Sequence, residues 1–144
     1  MRNIILISLA ILGFSSTTVA ATDAVAISAF YETGAVGFGQ GRNKNKAGKA
    51  AKADCKQANS GRSCKYFYWT LASSHMVVVQ CNFPIGTRVG GENAVQGGHS
   101  QTSLGAAKAA AYKKLTKTLS YGGLRATDKN CKVIASYSNG KFSK

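Results

Sequence analysis

Acidic side chains are scarce in this chain. Its 144 residues carry 5 Asp and Glu against 19 Lys and Arg, a formal charge of +14, and they include only 2 histidines. Each shortage excludes a chemistry. Glycoside cleavage needs two carboxyl groups flanking one bond, and the available Glu32 and Glu92 have no acidic neighbour. A nucleophilic triad needs a base beside its nucleophile, and no spacing among His75, His99, Asp23 and Asp128 assembles one. Zinc fails on spacing, since there is no C-x₂-C pair and no H-x₃₋₅-H pair, and neither a metal nor a cofactor is expected. Long apolar runs are missing too, the run from Ile4 to Phe14 being shorter than the roughly 20 residues that span a bilayer.

That run has another reading. Arg2 precedes it and Thr18-Val19-Ala20-Ala21 follow it, the order of a charged n-region, an apolar h-region and a small-residue cleavage site. Residues 1–20 are expected to be a cleaved signal peptide, and residues 21–144 a single exported domain, periplasmic or secreted. Four cysteines in an exported chain, Cys55, Cys64, Cys81 and Cys131, read as two disulfides with three possible connectivities.

Glycines followed by lysines, as in Gly34 to Cys55, raise the question of a phosphate-cradling loop. A P-loop requires G-x-x-x-x-G-K-[ST], and the nearest register, Asn43 to Ala50, has Asn for the first Gly and Ala for the hydroxyl. Gly37, Gly39 and Gly41 have the wrong spacing for a dinucleotide fingerprint, and no acid follows about twenty residues on. These glycines are expected instead to let a strand pack beneath a helix and turn into it.

The chain also matches itself. At a shift of 59 residues Ala35-Val36 falls on Ala94-Val95, Gly39 on Gly98, and Lys49-Ala50-Ala51 on Lys108-Ala109-Ala110, and farther on Cys64-Lys65-Tyr66 matches Cys131-Lys132-Val133. Such repetition is a mark of architecture. Two pseudo-repeats, about 24–81 and 82–140, are expected, each with a Gly-bearing segment, an Ala/Lys-rich helix and a C-K-apolar strand. Val25, Ile27 and Ala29 alternate as in a half-buried strand, with Glu32-Thr33-Gly34 turning into a second strand over Ala35 to Gln40. A helix over Lys46 to Ala58 has Ala47, Ala50, Ala51, Cys55 and Ala58 on its small-residue face, and Asn59-Ser60-Gly61 ends it. The alternating Tyr66 to Leu71 and the following Met76 to Gln80 read as a hairpin turning at Ala72-Ser73-Ser74, central in the sheet. Thr102-Ser103 caps a second helix, Leu104 to Leu119, with Leu104, Ala107, Ala111 and Leu115 as its apolar stripe. A loop holding Tyr121-Gly122-Gly123 leads to a last strand, Lys132 to Tyr137. The fold class that follows is α+β: an antiparallel sheet carrying two Ala/Lys-rich helices, with two disulfides and a weak internal duplication.

Ala26-Ile27-Ser28, Gly37-Phe38-Gly39, the Ala-rich helix ending in Cys55, Cys64 to Phe67 and Cys131 to Ile134 together resemble a family of small bacterial exported domains of unknown function, the DUF4189-like family. The chain departs from that pattern in placing Lys114 opposite Cys55 and in lacking a Trp before the first strand. The resemblance implies a helix-and-sheet domain, an exported location and a bacterial source, and it brings no activity with it. It also implies Cys55–Cys64 as a local bridge, leaving Cys81 for Cys131.

The basic excess attracts polyanions and acidic proteins. The expected function is a non-enzymatic basic binding protein of the bacterial envelope or secretome, engaging an anionic glycan, lipopolysaccharide, nucleic acid or an acidic protein. Its binding residues would be Lys44, Lys46, Lys49, Lys52, Lys56, Lys113, Lys114 and Lys117. An inhibitor or immunity-like protein that blocks a hydrolase or toxin through the loop Ile85 to Gly98 is the first alternative. A secreted ribonuclease with His75 and His99 as acid and base is the second. Tyr66, Tyr68 and Trp69, interleaved with basic residues, add a possible stacking surface for bases or sugars, against the simpler reading of a strand covered on both faces.

Overall fold

The computed structural model describes residues 23–83, 94–119 and 125–144. Residues 1–22, which include the expected signal peptide, most of the Ile85 to Gly98 loop and Tyr121-Gly122-Gly123 lie outside them. In chain order the elements are β1 (Ala24–Ala29), β2 (Val36–Gly41), α1 (Lys44–Ala58), β3 (Phe67–Leu71), β4 (His75–Cys81), β5 (Ala94–Ser100), α2 (Leu104–Leu119), β6 (Cys131–Ser138) and β7 (Lys141–Ser143). The α+β class holds, with every described strand pair antiparallel.

One sheet was expected, and there are two. β2-β1-β3 form the first and β5-β4-β6-β7 the second. The expected hairpin between β3 and β4 does not exist: Ala72-Ser73-Ser74 carry the chain from one sheet to the other. β3 is an edge strand, and of the two only β4 is central. Alternation cannot distinguish these outcomes, because two consecutive strands look alike in sequence whether they pair or cross over.

The sheets stack face to face and each carries a helix on its outer side, giving the layer order α1, sheet, sheet, α2. Val25, Ile27 and Ala29 meet Met76, Val78, Ala135 and Tyr137 between the sheets. Ala24 and Ala26 meet Ala47 and Ala51 beneath α1, while Val77, Val79 and Cys81 meet Ala107, Ala111 and Leu115 beneath α2. β1 is therefore buried on both faces rather than one. Its helix-facing residues are small because α1 comes very close.

Each half has the same β-β-α-β path, with β1 and β4 as the central strands. β4 thus opens the second unit, although the sequence pattern placed it at the end of the first. Within the helices the equivalence is offset by one more residue than the sequence match. Asn43 caps α1 by accepting from the Lys46 N–H, and Ser103 caps α2 by accepting from the Ala106 N–H. Cys55 thereby corresponds to the buried Leu115 and not to Lys114. Leu104, assigned to the apolar stripe, is exposed.

The glycines take the architectural role expected of them. A Cβ on Gly39 would lie 2.1 Å from the Ala47 carbonyl oxygen, and one on Gly98 would lie 2.1 Å from that of Ala107. Both helices therefore ride directly on a glycine strand. Asp54, the one acid of α1, turns toward that strand and accepts the Phe38 N–H at 2.8 Å, occupying a donor on the exposed edge of β2.

Both disulfides pair as the resemblance implied: Cys55–Cys64 ties α1 to the approach to β3, and Cys81–Cys131 joins residues paired across β4 and β6. After β6, Asn139 and Gly140, at φ of 51° and 79°, turn the chain into β7, a strand beyond the last one expected.

Lys108, Tyr112 and Asp128 fix the turn before β6 against α2. Lys108 and the Tyr112 hydroxyl both donate to Asp128 Oδ1, the latter at 2.7 Å. The bond from Lys108, followed by that from Tyr112, holds the Asp128 carboxyl below its ordinary range. With its folded value depressed, whatever stability the pair contributes is present above the unfolded value of about 4 and is lost as pH falls through the folded one. Lys108→Met is expected to move the Asp128 titration upward, as read by carboxyl NMR. An unmoved titration would remove Lys108 as the cause.

Candidate functional site

α1 owes its charge pattern to its packing. Ala47, Gly48, Ala51 and Cys55 face the sheet, so at about 100° per residue Lys46, Lys49, Lys52 and Lys56 fall within an arc of roughly 120° on the outer side. With Asp54 turned to Phe38, that arc holds no acid. The ion pairs recorded among the described residues are Arg62–Glu32 and Lys108–Asp128, neither of which involves an α1 lysine.

Lys44 differs from the other four. It begins the helix on the sheet side, and its Nζ lies 6.0 Å from the Trp69 ring centre, while Lys52 Nζ stands 5.2 Å over Phe67. Both rings belong to β3. On α2, Lys113, Lys114 and Lys117 are exposed, but this helix forms the opposite outer layer, so the eight predicted lysines do not make one face. Lys114 Nζ reaches the Gly97 carbonyl on β5 at 3.4 Å.

The histidines are not brought together. β4 and β5 pair Met76 with His99 and His75 with Ser100, which puts the two imidazoles on opposite faces of their sheet. His75 Nδ1 is 2.8 Å from Ser138 Oγ, whereas His99 lies on the side facing β3. Acid and base for RNA cleavage would have to share one face.

At the seam between the sheets, edge strands β3 and β5 run side by side. Tyr68 points into the core, donates its hydroxyl to the Val95 carbonyl at 2.8 Å, and has its pKa pushed up to about 12, chiefly by burial. A groove remains outside it. One lobe, about 160 Å³, is lined by Phe67, Tyr68, Trp69, His99 and Lys114 among others. The second, about 280 Å³, is lined by Trp69, Thr70, Leu71, Ser74, His99 and Gln101. Trp69 and His99 border both lobes.

Compared with family models, curated proteins and solved structures, the chain matches none. Its chemistry is therefore read from its own residues. The aromatic strand, His99 and Lys114 were each visible in the sequence, but assigned to separate roles. What joins them is the passage of β3 and β4 into different sheets, which brings two edge strands together. No local pattern announces that. Among the described residues no helix is long and apolar enough to cross a membrane, and no group of His, Cys, Asp or Glu is arranged to hold a metal ion.

Proposed function

We propose that this chain is an exported, non-enzymatic binding protein of the bacterial envelope or secretome that engages a polyanionic partner through the outer face of α1. The observation that carries this reading is the acid-free arc of Lys46, Lys49, Lys52 and Lys56, whose one helical acid is committed to a backbone N–H. A surface helix evolved only for solubility would mix both signs, since i, i+4 pairs of opposite charge stabilise it. Here Lys52 and Lys56 form a like-charged i, i+4 pair, a small local cost that an anionic partner would offset. Two disulfides and the apolar N-terminal run support an oxidising compartment outside the cytoplasm.

The test is charge reversal at Lys46, Lys49 and Lys56, all exposed and none packed on an aromatic ring. Binding of the oxidised protein to an anionic glycan, lipopolysaccharide, RNA and an acidic protein is measured across a salt series. The triple glutamate variant is expected to lose at least about tenfold in affinity at low salt, with a shallower salt dependence. Unchanged affinities for every ligand would overturn the proposal.

A further inference from the structure

Into the groove between β3 and β5 a lysine of α2, Lys114, projects beside the aromatic strand, in the lobe that Trp69 borders, while Lys44 of α1 stands near the Trp69 ring without lining either lobe. Elsewhere the helices are separated by two sheets. The groove also holds one accessible ring. Trp69 is 41% exposed, Tyr68 is turned into the core, and Phe67 is covered by Lys52 on one side and approached so closely by α1 that a Cβ on Gly48 would sit 2.4 Å from its ring. His99, Gln101, Thr70 and Ser74 line the same lobe as Trp69, and their side chains are able to exchange hydrogen bonds with hydroxyls.

We infer that this groove takes one carboxylated sugar ring of an anionic glycan, with its apolar face on Trp69, its hydroxyls toward His99 and Gln101, and its carboxylate beside Lys114. The inference rests on the polyanion reading and names the glycan as the polyanion. Single-stranded nucleic acid is the poorer fit, because it binds by stacking successive bases on successive platforms, and β3 offers one. A sugar ring asks for one flat apolar surface ringed by hydrogen-bonding groups, and the lobe volumes of about 160 and 280 Å³ suit a ring of that size better than a drug-sized ligand, for which ~300–1,000 Å³ is usual. Lys114 on the far wall supplies the discrimination between acidic and neutral sugars.

Trp69 is the sole tryptophan, so its emission reports the groove directly. The full oxidised protein is titrated at 150 mM salt, taken as ~physiological, with digalacturonic acid, with lactose as the neutral sugar, and with a short oligouridylate. Digalacturonic acid is expected to give a saturable change in emission and lactose none. By calorimetry, affinity for the acidic disaccharide should fall about tenfold or more in Trp69→Ala and several-fold in Lys114→Gln and His99→Ala. The last two change exposed positions, which keeps the test open should Trp69→Ala fold poorly.

The triple charge reversal on α1 should leave disaccharide binding within about twofold. If the disaccharide fails to bind while long polyanions still respond to that reversal, the groove assignment falls and the helix-face function stands. If the disaccharide binds through Trp69 while polyanion binding ignores the reversal, the helix-face reading falls instead. Binding of oligouridylate through Trp69, with none of the acidic sugar, overturns the inference in favour of nucleic acid.

Discussion

Gly39→Ala is expected to destabilise the protein by about 3 kcal/mol or more, at the upper end of overpacking costs. The added Cβ would lie 2.1 Å from the Ala47 carbonyl oxygen and 2.3 Å from the Ala51 nitrogen. Both are helix backbone atoms, so no rotamer change relieves the clash and α1 must lift from its sheet as a unit. Gly98→Ala should repeat the result in the second half, against the Ala107 carbonyl at 2.1 Å and the Ala111 nitrogen at 2.4 Å. Gly105→Ala supplies the control. The nearest atom to its added Cβ is Ser103 Oγ at 3.8 Å, and it lies in the first turn of α2. There the same substitution should stabilise by a few tenths to ~1 kcal/mol. Urea denaturation of the three variants separates the cases. A Gly39→Ala protein as stable as the parent would mean that α1 does not sit on β2 as described.

These glycines explain why part of the fold was legible in the sequence. A helix that packs on a glycine strand needs small residues on its own inner face, and so Gly39 with Ala47 and Ala51, and Gly98 with Ala107 and Ala111, left a matching pattern twice. The offset of one residue in the helices was hidden because Ala and Lys recur so often that two neighbouring registers look alike. The helix caps and burial, which local composition does not show, separate Lys114 from Leu115 as the partner of Cys55.

The sheet arrangement was harder to read for a different reason. Tyr66 to Leu71 and Met76 to Gln80 are both apolar enough to be neighbours, and the three residues between them suit a turn. The deciding feature is that Met76 to Gln80 is buried on both faces, as a strand central in one sheet and covered by another must be. β3 instead exposes Trp69 and Leu71, as an edge strand can. The candidate groove was illegible for the same reason, being built from the edges of two sheets where one was expected.

The two disulfides should differ in what they contribute, and the difference tests how the second half is held. On the chain-entropy view a cross-link stabilises by restricting the unfolded chain, more so as the closed loop lengthens. Cys55 and Cys64 are separated by 9 residues, Cys81 and Cys131 by 50. The corresponding contributions are about 2.6 and about 4 kcal/mol. Cys81→Ala with Cys131→Ala is therefore expected to cost more than Cys55→Ala with Cys64→Ala, by about 1.5 kcal/mol. Alanine avoids burying a new hydroxyl at Cys55 and Cys81, both fully enclosed.

The longer bridge also spans the whole of β5 and α2, so its removal frees the segment that carries His99 and Lys114. Denaturation followed by circular dichroism and by Trp69 emission should show the larger loss of midpoint for the Cys81/Cys131 pair. A steeper denaturant dependence should accompany it, since an uncrosslinked unfolded chain exposes more surface. Equal losses for the two pairs, or a larger loss for Cys55/Cys64, would show that the seat of α1 on its glycine strand governs stability more than the closure of the second unit.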